Sequence, residues 1–217
     1  MFPNSNQYTN NWYLCTFVLK LFLHMSATQK RAAILHIEGV PNPNAMKFVL
    51  ENGVLTDTPY EFATLADTMN SPLAQKLMMF RYVERVMLNR NYVTVLKTVK
   101  DSPDWPEILP DIKGIIQQHL EKDEPILMMG VEENSHTQSD DPVAELVIDL
   151  LNKVVRPAAQ EDGGDILFDS YENGVLTLRM HGACHECPYI MQTIKDGVEP
   201  AVRGIVPDVK EVKPRLV

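Results

Sequence analysis

Cysteine is scarce in this chain, with three residues in 217, at positions 15, 184 and 187. So few in so long a chain exclude a disulfide framework. Positive charge is in deficit too, 20 Lys and Arg against 29 Asp and Glu, which gives a net charge of −9 and a pI of about 5.1. No basic patch relieves that deficit, so nucleic acid is not an expected partner. Long apolar runs are missing as well. The run from Trp12 to Leu23 is short and interrupted by Lys20. It cannot span a bilayer, and no stable membrane insertion is expected. Hydrophobic content is nevertheless 45%, ample for packed cores in one large or two small domains.

Residues 1–32 stand apart as a leader. The first thirty residues contain no Asp or Glu, the first eleven no Lys or Arg, and the first arginine is Arg31. A secretory signal needs a basic start and a transit peptide should be Arg-rich, so neither pattern is met. A start at Met25 would account for the stretch, as would a membrane-surface or disordered tail. Cys15 acquires no role. A lone Cys-x-x-Cys suits a reducing compartment, and the protein is expected to be cytoplasmic, of bacterial type, in preference to the mitochondrial matrix.

The chain settles into pattern at Ala33. Strands are expected at Ile34–Glu38 and Met46–Leu50, with the turn formers Gly39 to Asn44 between them and Asn52-Gly53 after them. Apolar residues at helical spacing follow Pro72, then a hairpin over Val83–Leu88 and Tyr92–Leu96. A helix from Pro106 or Glu107 to Leu120 closes an α+β domain over residues 33–122. This domain has no cysteine and no catalytic constellation. His36-Ile37-Glu38 with a distant Cys-x-x-Cys is the outline of a zinc deaminase, but Ala183 stands where that pattern needs proline. His36 is read as an ordinary strand residue.

Residues 123–140 read as an acidic flexible linker that leaves the halves free to move. A second domain, 141–217, begins with Asp141 as a helix cap, Pro142 in the first turn and an apolar stripe from Val143 to Val155. Arg156-Pro157 should disturb that helix near its end. A hairpin over Ile166–Tyr171 and Val175–Met180 turns at Asn173-Gly174; a helix from Tyr189 to about Arg203 and a strand around Val209–Val212 follow. The expected architecture is α+β, two small α/β sandwiches in series. At Glu161-Asp162-Gly163-Gly164-Asp165 the glycines read as a helix stop and turn; the competing reading keeps the acids for a partner or a metal.

The chemistry is expected at Cys184-His185-Glu186-Cys187-Pro188, where two thiols sit on a strand-to-helix loop. With Pro188 in the first helical turn, free amides and the helix dipole should favour thiolate. An iron–sulfur cluster or a structural zinc usually takes four ligands, and this domain offers two thiols. A symmetric dimer that pools Cys184 and Cys187 from each protomer would complete a cluster. Zinc could instead recruit His181, with His185 solvated, and a redox dithiol also places Cys-x-x-Cys before a helix. Iron–sulfur, zinc and dithiol readings all stand on the residues alone.

Pro157 to Asp165, the loop Gly182 to Pro188, Thr193-Ile194-Lys195, Gly197-Val198-Glu199 and Pro207-Asp208-Val209 resemble the C-terminal domain of the NifU family. Pro41 to Phe48 and the Val83–Leu96 hairpin resemble the N-terminal domain of Nfu proteins. The resemblance implies a carrier, not an enzyme, that binds a [4Fe–4S] cluster through Cys184 and Cys187 of two protomers. It implies homodimerisation on cluster binding, an upstream scaffold or donor, and apo iron–sulfur proteins as clients. A [2Fe–2S] cluster would take the same four thiolates. The desulfurase-binding domain of long NifU proteins is absent, so receipt and transfer are expected in place of assembly.

Overall fold

The structure is a computed structural model that describes residues 33–51, 55, 56, 58–128 and 141–216. The leader, the Asn52-Gly53 turn and residues 129–140 of the expected linker lie outside the described residues. The described residues belong to one compact unit.

Its first half is a five-stranded antiparallel sheet of order β1-β2-β5-β4-β3. The strands are β1 (Ala33–Gly39), β2 (Ala45–Glu51), β3 (Tyr60–Phe62), β4 (Val83–Asn89) and β5 (Tyr92–Lys97). β3 and the 3₁₀ turn Leu65–Asn70 after it carry too few apolar repeats to be read from sequence; the turn is held by a reciprocal Thr64–Asp67 capping box. Two helices cover one sheet face, α1 (Pro72–Met78), capped by Ser71, and α2 (Trp105–Glu121). Phe48, Val86, Leu88, Val93 and Val95 face them and bury against Leu77, Ile112 and Ile116. Alternate residues Met87, Tyr92, Thr94 and Leu96 point the other way and are buried as well. A sheet buried on both faces needs a second cover.

That cover is the second half. Helix α3 (Pro142–Leu150) starts at Asp141, whose side chain accepts from the Val143 amide at 3.0 Å. Arg156-Pro157 does not end the helix. One π-turn (Leu151–Val155) absorbs the proline's missing donor, and α4 (Arg156–Glu161) carries on. The hairpin β6 (Gly164–Glu172) and β7 (Val175–Gly182) turns at Asn173-Gly174, both with positive φ. Another π-interrupted helix runs through α5 (Ile190–Thr193) and α6 (Glu199–Ile205), and β8 (Glu211–Leu216) joins parallel to β7. β8 reaches further than expected because Pro214 sits on an edge strand, where a missing donor is tolerated. The fold is thus α+β, and its two halves pack against one another.

Between α1 and α2 lies a buried histidine with a pH signature. His119 is fully buried; its Nε2 donates to the Pro125 carbonyl at 3.2 Å, and its Nδ1 accepts from Lys76 Nζ at 3.3 Å. An ammonium can only donate, so the ring is the neutral Nε2–H tautomer. Burial, then the charge of Lys76, lowers its pKa from the ordinary 6.5, against the opposing charge of Glu124, whose carboxylate stands 3.3 Å from Nδ1. Above 6.5 both folded and unfolded His119 are neutral. Below it the unfolded ring takes a proton that the folded ring resists, so stability falls with pH until the lowered folded pKa is passed. Urea titrations through this window are expected to show that decline, and His119→Gln to flatten it; an unchanged slope in the variant would refute the assignment.

Candidate functional site

β7 delivers the cysteine loop. Its alternation buries Leu176, Leu178 and Met180 in the second core, which fixes where the strand ends and the loop begins. The loop then coils through short turns: the amides of Cys184 and His185 donate to the carbonyls of His181 and Gly182 at 3.2 and 3.0 Å. The helix opens at Ile190 with Tyr189 as its cap, so Pro188 lies before the helix and not in its first turn.

That displacement corrects the expectation of a lowered thiol pKa. The Cys184 thiol is pushed up to about 12, first by burial and then by the charges of Asp165 and Cys187. Its sulfur packs against Gly164, where a β-carbon would stand 2.4 Å from Sγ and 2.8 Å from the Cys184 amide. Gly164 is there because no side chain fits beneath the sulfur. Gly163, at φ +74°, turns the chain out of α4. Gly163 therefore acts as the turn reading held, while Gly164 has no positive φ and serves the close approach of the sulfur.

Asp165 is the buried member of the acid run, with no exposed side-chain surface. Arg156 grips it at two points, Nε to Oδ1 at 2.9 Å and Nη2 to Oδ2 at 2.8 Å, and the Ile166 amide donates to Oδ1 at 2.9 Å. The contact raises the Arg156 pKa still further. This acid serves an internal ion pair that ties α4 to β6. Glu161 and Asp162 remain exposed.

The first half reaches across to the same loop. Asn42, almost wholly buried, donates from Nδ2 to the carbonyls of both Ala183 and His185 at 3.0 Å. Glu61 accepts from the Gly182 amide at 2.8 Å and pairs with His181 Nδ1 at 2.6 Å. Thr94 donates to the Gly163 carbonyl at 2.7 Å and Lys47 to the Glu161 carbonyl at 2.9 Å. Ala45, Leu96 and Ala183 form a small apolar contact under these bonds. In the sequence Asn42 is one of a run of turn formers and Glu61 carries no local pattern. The available signal was β5, whose unbroken apolar and β-branched run has no solvent face.

His185, expected in solvent, is 4% exposed and sits under this seam. His181 is engaged by Glu61, and among the described residues Cys184, Cys187 and His181 do not converge as a three-ligand set. Both thiols are free and partly accessible. Beside them opens an apolar cavity of about 300 Å³, lined by Val155, Ala158, Ile190 and Val198 among others. Tyr189, Met191 and Val154 are exposed on the same helices, the first two just past the loop.

These features define a protein that presents a paired-thiol loop at the seam of two α+β halves. Comparison with known proteins gives it a family. The model of the scaffold protein Nfu/NifU N-terminal domain matches residues 35–123, and that of the NifU-like domain matches residues 147–213. The chain belongs to the Nfu/NifU family. Among its relatives, "NFU1 iron-sulfur cluster scaffold homolog, mitochondrial" of Drosophila persimilis is 33% identical over 87% of this chain and 67% of its own length. The human protein of the same description is 30% identical over 84% of this chain and 72% of its own. A solution structure of a NifU-like protein from Saccharomyces cerevisiae, 24% identical, covers 45% of this chain and 87% of its own, with a TM-score of 0.37. The mitochondrial relatives overturn the cytoplasmic, bacterial-type expectation. That expectation rested on the composition of the leader and on a lone Cys-x-x-Cys, a narrower base than similarity along most of the chain.

Proposed function

We propose that this protein is an iron–sulfur cluster scaffold and carrier of the mitochondrial matrix, and not an enzyme. Its cargo is a [4Fe–4S] cluster held by Cys184 and Cys187 from each of two protomers, taken from an upstream donor and passed to apo iron–sulfur proteins. The observation that carries this reading is the ligand deficit: two thiols share one accessible loop, and no third or fourth ligand stands beside them among the described residues. Four thiolates is what either common cluster type takes, and a two-fold axis supplies them from one loop used twice. The exposed Tyr189 and Met191 on the helix that follows give the second protomer an apolar surface to meet.

The chain's own contribution to transfer is positional. Asn42 and Glu61 hold the backbone that carries the thiols, while Gly164 leaves the Cys184 sulfur room. Release to an acceptor proceeds by replacing one thiolate at a time, each exchange reversible as in other thiol chemistry. Membership of a scaffold family supports the carrier reading over a dithiol oxidoreductase.

Anaerobic reconstitution tests it. Iron and sulfide should each reach about four per dimer, with the dimer mass by light scattering appearing only with the cluster. About two of each per dimer would make the cargo [2Fe–2S]. Zinc in place of iron, or a monomer cycling between dithiol and Cys184–Cys187 disulfide, would overturn the carrier reading.

A further inference from the structure

We propose that Glu84, His185 and Glu186 form a second metal site, separate from the two thiols, for a divalent first-row cation such as Fe²⁺, Co²⁺ or Zn²⁺. One carboxylate oxygen from each glutamate and one ring nitrogen of His185 lie within 4.8 Å of one another. A modest side-chain adjustment brings three such atoms to the roughly 2.0–2.2 Å bonds that these ions make with imidazole and carboxylate. An acidic pair on its own is common at protein surfaces.

The second observation comes from His185 itself. The residue is 4% exposed, and its Nδ1 is buried with no hydrogen-bond partner. An unpaired buried polar atom costs about 1–3 kcal/mol, and native folds rarely keep one without a use. Metal ligation is a use for an imidazole with a ring nitrogen within 4.8 Å of two carboxylate oxygens. The donor set also selects: one nitrogen with two oxygens suits first-row transition ions, whereas Mg²⁺ and Ca²⁺ prefer oxygen alone.

Its place gives the site a consequence. Glu84 belongs to β4 of the first half, while His185 and Glu186 are the two residues between the cysteines. A cation there ties β4 to the cysteine loop through side chains, beside the Asn42 bond to the His185 carbonyl. Occupancy by metal stabilises the closed seam by the ordinary linkage between binding and conformation.

The full chain carrying Cys184→Ala and Cys187→Ser removes the paired thiols and isolates the site. Titration with Co²⁺, read by visible absorption and calorimetry, is expected to show one equivalent bound per chain, undisturbed by excess Mg²⁺. Glu84→Gln in this background should weaken binding more than about tenfold. Glu186→Gln, at an exposed position where the fold is not at risk, should do the same. No Co²⁺ bound by the thiol-free chain, unaltered affinity in the Glu186→Gln variant, or displacement by equimolar Mg²⁺ would each overturn the proposal.

Discussion

Arg156→Met is expected to lower the stability of the protein by about 3–5 kcal/mol, the usual cost of removing one partner from a buried ion pair. Asp165 has no exposed side-chain surface, and Arg156 supplies two of its short contacts, at 2.8 and 2.9 Å. What would remain is the Ile166 amide at 2.9 Å and a long Gln160 contact at 3.4 Å. Those two cannot replace a guanidinium. Arg156→Lys should recover only part of the loss, because an ammonium lacks the planar fork that meets both carboxylate oxygens. A double variant, Arg156→Met with Asp165→Leu, removes both charges and should recover most of it. Urea denaturation followed by circular dichroism measures all three. A loss under about 1 kcal/mol in the single variant would mean that the carboxylate finds water or a proton in place of the arginine.

How much of this was legible beforehand depends on what kind of signal each feature leaves. Hairpins and amphipathic helices leave periodic ones, and Val83–Leu96, Trp105–Glu121 and the Asn173-Gly174 hairpin fall near where the pattern put them. β3 left none, since Tyr60–Phe62 is too short to have a period. The cysteine loop was found through its residue types, since thiols and their spacing are chemical before they are structural. Its environment was not found. Asn42 and Ala183 are 141 residues apart in sequence, and no local pattern joins them. The thiol pKa is hidden for the same reason: a helix dipole is local, while Gly164 of another strand packs on the Cys184 sulfur and Asp165 adds its charge. Pro157 reads locally as a helix breaker, and the π-turn that accommodates it leaves no sequence signature.

Cys187→Ser is expected to abolish iron and sulfide binding and the cluster-linked dimer while the apo protein stays folded. The two cysteines are not equivalent as probes of this. Cys184 packs against the second core and over Gly164, and burial holds its thiol near 12. A serine there would bring a hydroxyl into an apolar slot beside a carboxylate, at a cost of about 1–3 kcal/mol if it found no partner. Loss of cluster in Cys184→Ser could then come from a disturbed loop. Cys187 lies later in the loop and, unlike Cys184, outside the core. Its exchange for the nearly isosteric serine should change stability by no more than about 0.5 kcal/mol. A serine hydroxyl is a poor ligand for iron where thiolate is the rule, so each protomer would keep one thiolate and a dimer two. Reconstituted iron should fall to background, with the urea midpoint of the apo protein unchanged. Iron retained at the parent level would remove Cys187 from the ligand set and with it the shared-cluster reading.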